Sequence, residues 1–425
     1  MNLKTKCLNL ATGFVVLVST LMTHTSASAV PAFARQTGKA CTSCHFQHYP
    51  ALNEFGAEFK ASGYVDIKNK PLAGKDLSLA DSLYAGVFTK LRYQKSNGVE
   101  NTGEKSTHSG ELQFPDEFAL LLGGRVGKNI GFLIEGQLID GEAPMLAGFK
   151  MPMIWEVRDT MKAGVVPYTT DGLGASYGFE LLNTGAVRNV RVSEHRSETS
   201  AQQYIFFGGT GPGGDTAGAS TGLAFVLHDS LYHVVVNPNT PNHLPGGGNN
   251  LGGLDSLYMR AVVTPTVNGW ALAAGVQSWS GSNARYGDGS TSVATKGWAL
   301  DAQAQGVFQS MPLGVYFAHA SAPASSAGSA PNLFNAKAKA RTATTLTAEL
   351  GVLPQTATVM LSYRKADNAG TQDNAWSIGG TYHIYQNVGL QLVHSQRSAA
   401  GYGPTVVDGG AKGKSMTTLM LSAGF

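Results

Sequence analysis

The chain has 425 residues, and its 31 basic side chains nearly balance its 28 acidic ones, giving a formal charge of +3. A balance of this kind gives no indication of a nucleic-acid partner. Charged residues make up only 14% of the chain, whereas glycine occurs 53 times. Such a composition is too apolar for a disordered protein and too rich in glycine for an ordinary helical domain, so it favours a large, mainly β protein.

Residues 1–29 have the pattern of a secretory signal peptide. Lys4 and Lys6 precede the apolar run from Leu10 to Val18, and the small-residue site Ala27-Ser28-Ala29 follows. We expect cleavage after Ala29 and export of the remaining chain, whose formal charge is then about +1 because two lysines leave. The apolar run is too short to count as a membrane anchor.

Only Cys41 and Cys44 remain after the leader and Cys7 are removed, and both lie in the run CTSCH at positions 41–45. Two thiols at this spacing bond the vinyl groups of a haem, and the following His45 ligates the iron. The alternative is a zinc or redox C-x-x-C site, but zinc would need further Cys or His at ligand spacing, and the exported chain has no other Cys. We therefore predict one covalent haem c on Cys41, Cys44 and His45.

The residues after this motif predict a helix from Pro50 to Ser62. Proline suits the first helical position, Leu52, Phe55 and Phe59 share one face, and Gly63 suits the position after the helix. We expect this face to cover the haem edge, with Phe46 and Tyr49 packing nearby. The resulting cytochrome segment, residues 30–80, is small enough to need support from the following domain.

The second axial ligand of the iron is left open. No methionine occurs between Ala29 and Met145, and His48 is too close in sequence to His45 for both to bind one iron. We expect His48 at the haem edge or on the surface. Candidates further along the chain are Met145, Met151 and Met153, although such a cluster is more often wall or loop packing.

Residues 81–425 alternate in runs of about ten residues separated by turn-forming residues, which is typical of a transmembrane β-barrel. At about 22 residues per strand and connection, about 340 residues give roughly 16 strands, plus or minus two. Such a barrel leaves an open lumen. The clearest predicted strands are Leu83–Tyr93, Phe118–Val126, Gly131–Leu138, Leu257–Thr264, Trp270–Trp279, Trp298–Phe308, Gly314–Ala320, Thr342–Leu350, Thr356–Tyr363, Trp376–Tyr385 and Gly389–Ser395.

The final strand favours the bacterial outer membrane, and hence contact with its lipid. Thr417, Leu419, Leu421, Ala423 and Phe425 share one face, a pattern similar to the outer-membrane assembly signal; the alternative is an ordinary strand ending a soluble β-domain. Five tryptophans could lie in the interface girdles of a barrel or in its core: Trp155, Trp270, Trp279, Trp298 and Trp376.

Other motifs carry little chemistry. The glycine-rich runs 208–214 and 245–253 lack the Lys and Ser/Thr of a phosphate loop, and 321–330 is a low-complexity connection. The histidines are too scattered for a metal site, and a continuous strand would place His228 and His233 on opposite faces. The scattered histidines are His228, His233, His243, His319, His383 and His394.

About 34 residues, from Pro31 to Tyr64, carry a resemblance to a known family. The stretch PAFARQTG at 31–38, the CTSCH motif, and Pro50, Leu52, Phe55, Gly56, Phe59, Lys60, Gly63 and Tyr64 are similar to the fused outer-membrane monohaem cytochrome-porins of iron-oxidising bacteria. Ala57 stands where that family usually has arginine. The resemblance implies a haem segment plugging the barrel, extracellular Fe(II) as electron donor, and a periplasmic cytochrome or other carrier as acceptor, an Fe(II) oxidase activity.

Three other functions fit parts of the same sequence. The haem could exchange electrons with another extracellular donor or acceptor. The barrel could be a diffusion porin in which the haem segment is a gate or plug. A soluble periplasmic cytochrome with a β-sandwich is the third, and the final strand argues against it.

Overall fold

A computed structural model describes residues 32–65, 72–73, 78–79, 84–98, 110–138, 146–185, 196–207, 218–243, 253–282, 284–286, 291–402 and 412–425. The predicted signal peptide, Met145 and most of the glycine-rich runs lie outside these ranges. None of the helices in the described ranges is long and apolar enough to cross a membrane.

The helices are few and short. The α-helices are α1 (Ala32–Thr37), α2 (Cys41–Cys44), α3 (Glu54–Ala61) and α4 (Arg196–Thr199), with a 3₁₀ turn at Ala175–Tyr177 and a π turn at Gln203–Phe207. The predicted helix from Pro50 therefore begins later, at Glu54. Its start is set by Asn53, whose side-chain oxygen accepts a hydrogen bond from the Gly56 amide at 2.9 Å. Gly63 has the predicted role after the helix, with φ of +76°.

The rest of the described chain is β-structure. The strands are β1 (Leu72–Ala73), β2 (Ser78–Leu79), β3 (Tyr84–Ser96), β4 (Glu111–Gly127), β5 (Ile130–Gln137), β6 (Leu146–Lys150), β7 (Met153–Arg158), β8 (Met161–Thr170), β9 (Ser220–Asp229), β10 (Tyr232–Thr240), β11 (Ser256–Val263), β12 (Thr266–Val267), β13 (Trp270–Gly281), β14 (Ala284–Tyr286), β15 (Thr291–Val293), β16 (Gly297–Phe308), β17 (Met311–Ala322), β18 (Arg341–Leu353), β19 (Ala357–Asn368), β20 (Ala375–Tyr385), β21 (Val388–Arg397) and β22 (Ser415–Gly424).

Eighteen of these elements form one closed antiparallel barrel, in which β22 pairs with β3 to complete the ring. Two barrel strands are each interrupted: β6 and β7 both pair with β5 and β8, and β11 and β12 both pair with β13. Subtracting these two interruptions from 18 elements gives 16 strands, which confirms the predicted barrel and its strand number. A soluble β-sandwich is thereby excluded.

The barrel wall is apolar outside and polar inside. Along β19, Leu361 and Tyr363 are 60% and 51% exposed, whereas Ser362 and Arg364 between and beside them are buried. This alternation is the reverse of a soluble protein, where exposed faces are polar, and it matches a barrel surrounded by lipid. The protein is therefore an outer-membrane barrel. Trp155, Trp298 and Trp376 are exposed on this surface, whereas Trp279 is buried.

The two ends of the barrel differ in the length of their connections. At one end the strands are joined by tight turns such as 128–129, 230–231 and 309–310, and β22 ends there beside the start of β3. The connections at the other end are long, the longest running from 171 to 219. Short turns face the periplasm and long loops face outward in bacterial barrels, so the short-turn end is periplasmic.

Part of the longest connection lies inside the barrel. Residues 175–184 are buried throughout. Glu180 in this stretch is held by Arg260 of β11, whose Nε donates to Oε2 at 3.0 Å, and Arg260 Nη2 also donates to Asp301 Oδ2 of β16 at 2.8 Å. Thr184 Oγ1 donates to the same oxygen, Asp301 Oδ2, at 2.7 Å. A buried ion network thus fixes the inward stretch to the wall.

Candidate functional site

The segment 32–65 lies against the inner wall at the short-turn end of the barrel. Arg35 Nη1 donates to the Ala85 carbonyl at 2.6 Å, at the start of β3. The Cys41 amide lies 3.3 Å from Oε1 of Gln386, in the turn between β20 and β21. These contacts fix one side of the segment level with the strand ends.

The opposite side of the segment contacts other strands. Glu54 Oε1 accepts a hydrogen bond from Thr266 Oγ1 of β12 at 2.9 Å. Glu58 accepts hydrogen bonds from Lys162 of β8 and from His228 Nε2 of β9, the latter at 2.9 Å. The segment is therefore bound across the barrel mouth rather than along one strand.

The CTSCH motif is held by close contact with α3. A Cβ atom at Gly56 would lie 2.1 Å from the Cys44 carbonyl oxygen, so only glycine allows this approach. Asn53, which caps the helix, also donates from Nδ2 to the Ser43 carbonyl at 3.1 Å. The motif and the helix therefore form one unit. Gly56, noted above only as part of the family resemblance, is required by the close approach of the helix to the motif.

Cys41, Cys44 and His45 line one cavity of about 320 Å³ between the segment and the wall. Both cysteines are free thiols, half-buried, and burial raises the pKa of each. Much of the surrounding wall is apolar and includes Phe33, Leu52, Phe59, Val87, Leu121 and Leu133. Ligand sites in proteins commonly measure about 300 to 1,000 Å³ and have mainly apolar walls.

His45 is oriented for metal ligation. Its Nδ1 lies 3.2 Å from the Ala51 carbonyl, so a proton on Nδ1 leaves the Nε2 lone pair for a metal. Burial lowers the pKa of His45 to about 4 and thereby keeps the ring neutral, the form that binds metal. Two thiols and one neutral imidazole on an apolar cavity fit the haem predicted from the motif.

The other predicted ligands are placed differently. Met151 and Met153 do not line the cavity, and Met145 lies outside the described residues. Two residues that the sequence did not single out as ligands do line it: Met420 of β22 and His383 of β20. His383 Nε2 is buried and has no hydrogen-bond partner. No sequence signal distinguished these two, because each lies on an alternating strand far from the motif.

His48 is not a surface residue. It is 5% exposed, lines the cavity, and its Nε2 lies 3.1 Å from Glu349 Oε2 of β18. Of the aromatic residues expected near the haem, Tyr49 lines the cavity, whereas Phe46 and Phe55 do not.

The prediction that His228 and His233 lie on opposite faces is wrong. The chain turns at 230–231, so the two residues are cross-strand partners on β9 and β10, and both are buried. Their rings lie 6.4 Å apart. The argument assumed a continuous strand, and a two-residue turn between the two histidines was not recognised.

Ala57, which replaces the arginine usual in the family that the segment resembles, packs against a buried apolar group that includes Ala61, Ile154 and Val226. Elsewhere in the segment, the Phe33 and Tyr64 rings stack with centroids 4.7 Å apart. Helix α1 and the end of α3 are joined through this stack. The segment therefore has its own small apolar core, which continues into the barrel wall.

The chain resembles known barrels in structure only. A mutant of the Rh. blastica porin superposes with a TM-score of 0.47 at 12% sequence identity, over 81% of this chain and all of that one. OmpT, an outer membrane protein of Vibrio cholerae, superposes with a TM-score of 0.40 at 11% identity, over 84% of this chain and all of that one. No protein-family model and no curated protein matches the sequence.

Proposed function

We propose that this protein transfers electrons through the outer membrane by means of one haem c attached to Cys41 and Cys44 and ligated by His45. The observation that carries the proposal is the meeting of both thiols and the His45 ring on one largely apolar cavity inside a membrane barrel. A covalently bound haem would supply one-electron chemistry at this site. Segment 32–65 would at the same time be a plug across the periplasmic mouth.

The residues around the cavity would position the groups that bind the haem. The Ala51 carbonyl orients His45, and the contact of Gly56 with Cys44 holds the thiols in place. The apolar wall excludes water. Exclusion of water, the axial ligand and the hydrogen bonds together set the potential of a buried redox centre. No bond-making catalysis is required of the chain.

The position of the motif favours a periplasmic electron acceptor. Tyr49 and Phe55, in the segment at the short-turn end, are 50% and 39% exposed, and Tyr49 also lines the cavity. A periplasmic cytochrome could therefore approach the site without movement of the barrel. We take extracellular Fe(II) as the donor on the strength of the family resemblance, and another extracellular donor would use the same site.

A direct experiment tests this function. Oxidised, haem-loaded protein in detergent is mixed anaerobically with Fe(II), and the haem α-band is followed. We expect prompt reduction in the wild type, and no haem spectrum in a Cys41→Ser, Cys44→Ser double variant. A haem that dithionite reduces but Fe(II) does not would refute iron as the donor. A wild-type protein without covalent haem would refute the electron-transfer proposal and leave a plugged porin.

A further inference from the structure

Three donor groups with too few acceptors line the same cavity: Lys60, Lys150 and Tyr177. Lys60 lies on α3 four residues after Gly56, about 6 Å further along the helix axis from the contact with Cys44. Among the residues that the structure describes, its ammonium group has neither a hydrogen bond nor an ion pair. Lys60 therefore presents to the cavity an ammonium group that no described residue bonds.

Lys150, on β6, is the second donor. Its side chain is buried, and its Nζ donates to the Tyr177 carbonyl at 3.0 Å, 4.2 Å from the centroid of the Tyr177 ring. The same ammonium lies 5.9 Å from the Tyr64 ring centroid. The contacts of the Lys150 ammonium group are thus one carbonyl and two aromatic rings. No carboxylate is bonded to it in the described part of the chain.

Tyr177 supplies the third donor. Its hydroxyl is buried and has no hydrogen-bond partner. A buried polar group without a partner costs about 1–3 kcal/mol, and such groups usually await a ligand or water. Lys60 and the Tyr177 hydroxyl have no acceptor among the described residues, and Lys150 has one carbonyl, so the three donors can together accept an anionic group.

The acidic residues of the cavity do not fill this role. Glu180 is already bonded to Arg260 and to the Leu182 amide, whose nitrogen lies 2.8 Å from Oε1. Glu135 also lines the cavity, and its charge acts on Lys150. Burial lowers the pKa of Lys60 to about 8, with Glu180 partly opposing this. Each ammonium group therefore has a carboxylate in its neighbourhood, but none is bonded to it among the described residues.

We propose that Lys60, Lys150 and Tyr177 form an anion pocket that binds a propionate carboxylate of the covalently attached haem. This inference rests on the proposed function, because it requires the haem on Cys41 and Cys44. The propionates lie on the edge of the porphyrin opposite the vinyl groups that form the thioethers. A haem attached to Cys41 and Cys44 would share its cavity with Lys60, Lys150 and Tyr177, which are the cavity's donors for such a carboxylate.

Single substitutions test the pocket through the haem potential. The variants are Lys60→Met, Lys150→Met and Tyr177→Phe, with Lys337→Met as the control, because Lys337 is exposed and does not line the cavity. Removing a cation beside the haem favours the oxidised state. We expect the equilibrium constant for reduction to fall about tenfold in Lys60→Met and Lys150→Met, severalfold in Tyr177→Phe, and less than twofold in Lys337→Met.

The pH dependence of the potential is the second measurement. Loss of an ammonium group should bring the titration of the propionate into the range near neutral pH, and Lys150→Arg should restore most of the wild-type behaviour. If Lys150→Met fails to attach haem, Tyr177→Phe decides, because it removes only one oxygen atom. Attached haem with potentials unchanged in all three variants would overturn the pocket while leaving the electron-transfer proposal intact. Absence of haem in the wild type would instead overturn the proposed function.

Discussion

His48 and Glu349 join the N-terminal segment to the barrel wall through one buried contact. Nε2 of His48 lies 3.1 Å from Oε2 of Glu349, and the two side chains are 3% and 0% exposed. Burial by itself would lower the pKa of His48, but the charge of Glu349 and the hydrogen bond to it raise the pKa above its usual value. The contact therefore favours protonated His48.

This raised pKa predicts that the segment loosens at alkaline pH. A histidine whose pKa is higher in the folded state stabilises fully below about pH 6.5, and the contribution is lost as the pH rises through the folded value. We expect proteolysis of 32–65 in the haem-loaded protein to accelerate as the pH increases. Glu349→Gln should lower the stability of the segment's attachment by about 1–3 kcal/mol at neutral pH and remove the pH dependence of its proteolysis. Glu156→Gln, on the exposed wall, is the control; an identical pH profile in both variants would contradict the prediction.

Glu58 predicts a separate effect at acidic pH. Burial by itself would raise its pKa, but hydrogen bonds from His228 and Lys162 outweigh burial and lower the pKa to about 2. A carboxylate with a lowered pKa stabilises above its unfolded value of about 4.3, and the contribution disappears as the pH falls through the folded value. The side chain is 50% exposed, so screening reduces the effect to roughly 0–1 kcal/mol.

We expect Glu58→Gln to flatten the dependence of segment release between about pH 4.5 and 2, as measured by hydrogen exchange of residues 32–65. Glu54→Gln is the control, because Glu54 lies on the same helix and bonds only the Thr266 hydroxyl in the described contacts. If Glu54→Gln changed the acid profile as much as Glu58→Gln, the pairing with His228 and Lys162 would not be the cause.

Gly56→Ala should impair haem attachment. The added Cβ would lie 2.1 Å from the Cys44 carbonyl oxygen, and because this is a backbone atom the helix must move away from the motif. Overpacking of this kind costs about 1–3 kcal/mol. The measurement is the ratio of haem absorbance to protein in purified membranes, which we expect to fall severalfold. Gly127→Ala is the matched control because no atom lies within 4 Å of its added Cβ. Normal haem content in Gly56→Ala would disprove the close-contact argument.

The barrel was largely predictable from the sequence. Strands such as Trp270–Trp279 and Trp298–Phe308 were located to within a few residues, because alternation on a lipid-facing wall leaves a clear apolar pattern. No strand was named between Leu138 and Leu257, where the structure has β6 to β10. Pro152 separates β6 from β7, and Pro167 and Pro238 lie within β8 and β10, so proline obscured the alternation of these strands, whereas β9 has no proline and was missed despite its alternation.

The cavity was predictable only in part. The CTSCH motif is local, so adjacent residues identify the thiols and His45. Lys150, Tyr177, Glu349 and His383 come from distant strands and from an inward loop. Their approach depends on strand register and on the path of 171–185, neither of which a single sequence reveals. The segment's contacts with these residues therefore required the structure.

Arg260 provides the last prediction, because it holds the inward stretch that narrows the lumen. Its side chain is buried between Glu180 and Asp301, and Arg260→Ala would leave two buried carboxylates without a cation. Removing one partner from a buried ion network costs about 3–5 kcal/mol, so we expect residues 175–184 to leave the lumen. Ion conductance of the protein in planar bilayers should then rise severalfold over wild type, while covalent haem is retained.

Arg158→Ala, which removes an exposed arginine, should leave conductance unchanged. A variant in which Arg260, Glu180 and Asp301 are all apolar should conduct as little as wild type, because no buried charge remains unpaired. Unchanged conductance in Arg260→Ala would mean that the network does not hold the lumen closed.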